Sequence, residues 1–344
     1  MVEVVPEFEE QILNHYKENP EEAKQFFGER PFELKDVLET FVRGRDRNGK
    51  YAYNVIPTDT LYVTIDKEAV RKSGMMMAAD SIPDRMVISL KGKRALYKGD
   101  LMMLGMIAQC NWTRPIYMAT TVGEENYMNL GDNFIQEGLA NRISPFTTNN
   151  HHQPVEGAKS FDTEKTFYNM VNRYKYGGLE KKGIYLDETV MRMCLTHRHL
   201  FGDLVDNLLK EDKREKALKA LDFCEKALPA YNIPHNVKSA IGGGSIELAK
   251  GYALLGQKEK ARKITEEMVK DAFQYIDWCN ALPDARAYSY QDEFVRAAYV
   301  VRNCIGIADI FDSNYAEKLA DRYGKAEQAF YKKLPQEQED GLFY

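Results

Sequence analysis

Residues 96–123, LYKGDLMMLGMIAQCNWTRPIYMATTVG, predict a helix, a sharp corner and a strand in immediate succession. Apolar side chains recur at helical spacing through the first half of this stretch. Asn111 is then suited to the left-handed backbone conformation that closes many helices. Pro115 disfavours helical backbone at Arg114, so residues 116–121 are predicted to form a strand. A mixed α/β unit is therefore expected around this corner.

The flanking sequence extends the mixed pattern in both directions. Residues 7–45 show the apolar spacing of helices, interrupted where Asn and Pro punctuate it. Alternating apolar residues predict strands at 60–65 and within RMVISLKG, residues 85–92. Residues 133–146, NFIQEGLANRISPF, are predicted to begin as a helix and to continue as an extended segment.

The second half of the chain, after the polar stretch TTNNHHQPVEGAKS at 147–160, has an almost purely helical pattern. Two of its helices open with Glu-Lys-Ala, at 215–217 and 259–261, and a turn at Gly256 precedes the second. This arrangement resembles the tetratricopeptide helical hairpin, whose period is about 34 residues. A longer connection, PAYNIPHNVKSAIGGG, separates the two units here.

The predicted fold class is therefore α+β, with a mixed α/β N-terminal half followed by an all-helical, tetratricopeptide-like hairpin array. Three domains are predicted: a helical N-terminal segment at 1–50, a mixed α/β domain at 51–150 and a helical hairpin domain at 160–335.

Composition excludes several classes of function. A net charge of -5 argues against nucleic acid and anionic membrane surfaces as partners, because both attract basic proteins. The longest nearly uncharged stretch, LMMLGMIAQCNW, is well short of the roughly 20 apolar residues that span a bilayer. The 5 cysteines contain no CxxC pair, so buried thiols are expected in place of a zinc site or a disulfide framework.

The histidines do not predict a metal centre. His197 and His199, in LTHRHLFGD, are two positions apart and would face away from each other on a helix, so they cannot share an ion. His151 and His152 lie in a predicted polar loop, where an exposed pair usually has no ligand. No metal and no cofactor is therefore expected.

A glycine-rich segment, IGGGSIELAK at 241–250, lacks the spacing and the Lys-Ser/Thr ending of a phosphate-binding loop. Ser245 is predicted to cap the following helix, with Glu247 in its first turn. No catalytic residue is predicted, although a hydrolase whose groups converge only in space stays open as an alternative.

The corner itself has two interpretations. In the structural one, Trp112 covers the helix end, Arg114 pairs with an acid such as Glu137, and Ile116 and Met118 point inward. In the functional one, Trp112, Arg114 and Tyr117 offer a stacking face and polar donors to a sugar or a peptide. The complete set of candidate ligand-binding residues is Trp112, Arg114, Tyr117, Glu137 and Arg142.

Five blocks of the chain resemble, in order, the C-terminal portion of a bacterial multi-pass membrane family. The blocks are IPTDTLYVTIDKEAVRKSG, LYKGDLMMLGMIAQCNWTRPIYMATTVG, FIQEGLANRISP, the segment from FYNMVNRYKYGG to LTHRHLFGDL, and EKALKALDFCEKALP. The family is called domain of unknown function 2723, protein O-mannosyltransferase-like, and is grouped as glycosyltransferase family 117. The resemblance covers roughly residues 40–330.

The resemblance implies that this chain is a soluble domain on the periplasmic face of the inner membrane, belonging to a longer membrane glycosyltransferase. The catalytic part, which uses a lipid-linked sugar donor, would lie outside this sequence. Its expected partners are an acceptor protein or glycan and the rest of the parent protein. The alternatives are a stand-alone carbohydrate-active hydrolase and a cytosolic tetratricopeptide-like scaffold.

Overall fold

The computed structural model describes residues 1–44, 49–50, 53–75, 82–146 and 160–334. The contacts divide the chain into unit 1, Met1–Asp162, and unit 2, Thr163–Tyr344. The described part of unit 1 combines helices with three small sheets, whereas that of unit 2 contains helices and no strands. The predicted fold class, a mixed α/β half followed by a helical half, is confirmed.

The helices of unit 1 are α1 Glu9–Glu18, α2 Pro20–Phe27, α3 Leu34–Val37, α4 Lys67–Lys72 and α5 Lys98–Cys110. Its strands are β1 Val2–Val4, β2 Val55–Ile56, β3 Thr60–Thr64, β4 Arg85–Ser89, β5 Ala95–Leu96, β6 Tyr117–Ala119, β7 Phe134–Gln136, β8 Ala140–Ile143 and β9 Ser160–Phe161. They form sheets of order β2-β1-β5, β3-β4 and β6-β8-β7-β9. In the third sheet, antiparallel pairing places Tyr117 opposite Arg142.

The helix expected within residues 133–146 is wrong, because β7 and β8 form an antiparallel hairpin there. Gly138 adopts a left-handed backbone (φ 98°), and the Glu137 amide donates to the Ala140 carbonyl at 2.9 Å to close the turn. A side chain at this φ would be strained, so the glycine permits the turn. Pairing with β6 and β9 on either side then satisfies the backbone groups that a helix would have satisfied internally.

One apolar core holds unit 1 together. It draws Ile12 and Leu34 from the N-terminal helices, Leu61 from β3 and Leu104 from α5, all buried. Residues 1–44 therefore pack on the same core as the strands that follow them. Each Å² of apolar surface that is buried stabilises the fold by about 25 cal/mol, so this shared core is the main stabilising contribution to the unit.

Unit 2 contains α6 Thr163–Phe167, α7 Glu188–Lys210, α8 Arg214–Ala227, α9 Val237–Ala240, α10 Ser245–Leu254, α11 Lys258–Ala281, α12 Asp284–Ala287, α13 Gln291–Phe311 and α14 Ser313–Tyr331. The long helices pack as three successive pairs, α7 with α8, α10 with α11 and α13 with α14. Helix α10 also packs against α7 and α13, which joins the pairs into an array. Apolar faces spaced at 3.6 residues account for this packing.

Four of the five cysteines, Cys194, Cys224, Cys279 and Cys304, are buried free thiols, as the sequence predicts, and Cys110 is half-buried. Burial raises the pKa of the Cys304 thiol to about 12, which keeps it protonated and unreactive at neutral pH.

Candidate functional site

The corner after α5 stores backbone strain. Both Asn111 and Trp112 have left-handed backbones, with φ of 43° and 57°. Asn tolerates this conformation, and Asn111 closes the helix as predicted. For a residue as large as Trp it costs on the order of 1–3 kcal/mol and persists only where the surrounding structure enforces it.

Packing enforces the conformation of Trp112. Its side chain is only 3% exposed and belongs to the core of unit 1. Its amide donates to Cys110 Sγ at 3.4 Å, and the Thr113 amide donates to the Cys110 carbonyl at 3.1 Å. The part of the structural interpretation that placed Trp112 over the helix end agrees with this geometry, and Ile116 and Met118 also pack against the core.

A cleft of about 630 Å³ opens beside the corner, and we call it the corner cleft. Its wall is formed by the end of α5 with the corner, by the segment 29–36 and by the end of β3 with residues 65–66. This volume is in the range of small-ligand sites. A second buried aromatic residue with a left-handed backbone, Phe32 (φ 56°), lies within the segment 29–36.

Several polar side chains of the cleft are hydrogen-bonded to the protein itself. Glu33 accepts from the Thr64 amide and hydroxyl at 2.7 and 2.8 Å, and Arg30 donates to the same hydroxyl at 3.3 Å. Asp66 caps α4 by accepting two backbone N–H groups, those of Glu68 and Ala69, at 3.0 Å. These bonds fix the rim of the cleft in place.

Asp36 differs from Glu33 and Asp66 in this respect. Its carboxylate is half-buried and lines the cleft, and no donor in the described part of the chain hydrogen-bonds to it. Burial raises its pKa, and the charges of Glu33 and Glu39 raise it further, whereas Lys35 opposes them. A half-buried carboxylate among like charges favours a group that brings a proton donor or a positive charge.

The predicted site residues fall into two groups. Tyr117, Glu137 and Arg142 come together: the Tyr117 hydroxyl donates to Glu137 Oε2 at 2.7 Å, and Arg142 Nη1 lies 3.5 Å from Glu137 Oε1. Glu137 and Arg142 are buried, whereas Tyr117 is 46% exposed. Burial and the bond to Glu137 raise the pKa of Tyr117 to about 12. Arg142 also donates to the Ser73 carbonyl at 3.2 Å.

Trp112 and Arg114 are not part of this cluster. Trp112 lines the corner cleft, and Arg114 is exposed. The predicted pair between Arg114 and Glu137 is wrong, because Glu137 pairs with Arg142 across the β7–β8 hairpin. The sequence offers both Arg114 and Arg142 as partners for Glu137, and the strand register selects Arg142.

Asp36 and Phe32 were missed at the level of sequence. They lie in a segment that the sequence presents as an ordinary amphipathic helix. The one available signal was the spacing of Glu29, Glu33 and Asp36, which repeats at helical intervals and is typical of a solvated face.

A serine, a histidine and a glutamate also converge in unit 2. Ser245 Oγ lies 2.8 Å from His235 Nδ1, and His235 Nε2 lies 3.3 Å from Glu225 Oε1. Ser245 is 0% and His235 3% exposed, and the buried Arg198 also donates to Ser245 at 3.4 Å. A nucleophile must reach its substrate, and both Ser245 and His235 are buried, so this geometry does not make the constellation a candidate catalytic site.

Ser245 does not cap α10 as predicted, because Gly244 occupies the cap position and the serine hydroxyl is turned into this buried network. Glu247 does lie in the first turn.

The two histidines of the LTHRHLFGD motif contact protein groups. His197 contacts the Met193 carbonyl at 2.8 Å, and His199 faces Asp203 at 3.8 Å. Within the described segments, no group of three or more His, Cys, Asp or Glu side chains could hold an ion. His151 and His152 lie outside the described residues.

A family model described as TMEM260-associated domain 2 matches residues 4–165. The match coincides with unit 1, which holds both the corner cleft and the Tyr117 cluster. The domain is thus similar to one associated with a membrane glycosyltransferase-like protein. No curated protein and no solved structure matches the chain significantly. Among the described residues, no helix has the length and apolar character needed to cross a membrane.

Proposed function

We propose that this chain is the extracytoplasmic region of a membrane glycosyltransferase-like protein of the domain of unknown function 2723 family, glycosyltransferase family 117. In this proposal unit 1 holds an acceptor protein or glycan for a catalytic site in the membrane-embedded part of the same protein. The chain alone binds and does not turn over substrate. Its position is the periplasmic face of the inner membrane.

The observation that carries the proposal is the family match over residues 4–165, which covers the unit that contains the corner cleft. The cleft combines an apolar floor, including Ile107 and Trp112, with a polar rim of carboxylates and amides. Such a mixture suits a partly apolar, hydrogen-bonding ligand. The strained corner is consistent with this role, since strain of this kind often accompanies ligand sites.

The test is to block the cleft. Gln109, an exposed residue at the cleft wall, would be replaced by Trp (Gln109→Trp), with Met102→Trp as the matched control on the same helix away from the cleft. Both proteins would be compared for binding to candidate acceptor peptides and glycans by calorimetry. Both changes would also be made in the parent membrane protein and its transfer activity assayed.

Loss of binding and of transfer only in Gln109→Trp would support the proposal. Equal behaviour of the two variants in both assays would refute it. Protease access to this region from the extracytoplasmic face of sealed vesicles tests the location separately, and protection there would contradict it.

A further inference from the structure

Acidic side chains outnumber basic ones in the lining of the corner cleft. Four carboxylates line it, those of Glu29, Glu33, Asp36 and Asp66, against two cations, Arg30 and Lys35. Neither cation lies within ion-pair distance of a cleft carboxylate among the described residues. The field inside the cleft is therefore negative, and an anionic ligand such as a phosphate would be repelled.

Two of the four carboxylates are hydrogen-bonded to the protein, and the other two are free to bind a ligand. Glu33 is satisfied by Thr64, and Asp66 caps α4. Asp36 and Glu29 accept no hydrogen bond from the described part of the chain, although Asp36 is half-buried. Both carboxylates reach solvent, so either can accept from a group bound in the cleft, and a ligand with a cationic donor would gain a charge-assisted hydrogen bond there.

We infer that the occupant of the corner cleft is an extended polypeptide segment that places a Lys or Arg side chain against Asp36 and Glu29. The inference rests on the proposed acceptor-binding function and narrows it to a protein acceptor. The aliphatic stem of such a side chain covers the apolar floor formed by Ile107, Ala108 and Trp112, while its charged head reaches the carboxylates. A neutral sugar would leave the negative charge uncompensated.

The Asp36 side chain packs against the backbone of Gly28. Gly28, with φ 99°, lies so close that a Cβ there would meet Asp36 Oδ2 at 2.0 Å. The absence of a side chain at Gly28 leaves room for the carboxylate. The Tyr16 hydroxyl holds the turn by donating to the Gly28 carbonyl at 2.7 Å.

The test uses calorimetry on the purified chain with four probes. These are a short capped peptide with one central lysine, the same peptide with glutamate or with norleucine at that position, and the neutral oligosaccharide maltotriose. The variant is Asp36→Asn, which keeps shape and removes charge. The control is Asp132→Asn, an exposed acid of unit 1 outside the cleft.

We expect the lysine peptide to bind at least about tenfold more tightly than the other two peptides, corresponding to about 1.4 kcal/mol. Asp36→Asn should weaken it by about five- to tenfold, and raising the salt concentration should weaken it further. Asp132→Asn should bind as the unaltered chain does.

Equal binding of the lysine and norleucine peptides, or an unchanged affinity in Asp36→Asn, would overturn the inference. If maltotriose binds and Gln109→Trp abolishes that binding while no peptide binds, the inference fails and the acceptor-binding proposal survives. If no probe binds and Gln109→Trp leaves transfer by the parent protein intact, both fail.

Discussion

Arg198 is a buried cation whose hydrogen bonds stabilise unit 2. Its side chain is 0% exposed and sits on α7. It donates to the carbonyls of Leu228, Ile233 and Pro234 at 3.1, 2.5 and 3.5 Å, and to Ser245. These carbonyls belong to the connection between α8 and α9, so the guanidinium ties that connection to α7.

The loss of stability expected when Arg198 is replaced follows from these hydrogen bonds. Replacing Arg198 by Met keeps most of the apolar volume but leaves three buried carbonyls without this donor, at about 1 kcal/mol each. Burial lowers the pKa of Arg198, which shows that keeping its charge away from water costs free energy. Removing the charge abolishes this desolvation cost and so offsets part of the lost hydrogen bonding. We expect Arg198→Met to destabilise unit 2 by about 2–3 kcal/mol. Arg198→Ala should lose about 2 kcal/mol more because it also leaves a cavity.

Urea unfolding followed by circular dichroism measures these differences. Arg192→Met, on the exposed side of the same helix, is the matched control and should change stability by less than about 0.5 kcal/mol. An Arg198→Met protein as stable as the unaltered chain would refute the reasoning. It would show that the desolvation cost of the guanidinium equals or exceeds what its hydrogen bonds contribute.

Three further predictions concern other positions. Gly244→Ala should destabilise unit 2 by at least about 2–3 kcal/mol, because φ is 81° and the new Cβ would lie 2.6 Å from the backbone of His199; an unchanged urea midpoint would contradict this. Burial would raise the pKa of Glu225, but His235, whose Nε2 lies 3.3 Å from Glu225 Oε1, lowers it overall with help from the charge of Arg198. Its contribution to stability is therefore present at neutral pH and lost as the pH falls through and below about 4.3, so Glu225→Gln should flatten the fall in stability on acidification; parallel pH profiles of unfolding would argue against it. Trp112→Ala should lower the stability of unit 1 in thermal unfolding by about 3–5 kcal/mol because the side chain is buried, whereas Asn111→Gly, which suits a left-handed backbone, should change it by less than about 1 kcal/mol; a loss below about 1 kcal/mol in Trp112→Ala would contradict this account.

Local sequence patterns were sufficient to predict α5, its closing residue Asn111, and the strands β3 and β4. The apolar spacing of α5, the left-handed closing residue Asn111 and the alternation of β3 and β4 are all visible in the sequence and present in the structure. Each depends on neighbours within a few residues, which is the range over which periodicity and turn preferences act. The helical character of unit 2 follows for the same reason.

The β7–β8 hairpin shows where local patterns end. Its Phe and Ile residues suit a strand, but the segment is short, and pairing with β6 and β9, distant in sequence, completes the sheet that holds them extended. The same pairing, and not the spacing along the chain, selects Arg142 as the partner of Glu137.

Sequence alone therefore determined α5 with its closing residue Asn111, the strands β3 and β4, and the helical character of unit 2, because each is a consequence of short-range backbone preference and apolar spacing. The corner cleft, the half-buried carboxylate of Asp36 and the buried network around Arg198 required the tertiary structure. These features join residues far apart in the chain, and their burial and pairing depend on which side chains meet once the cores of the two units have formed.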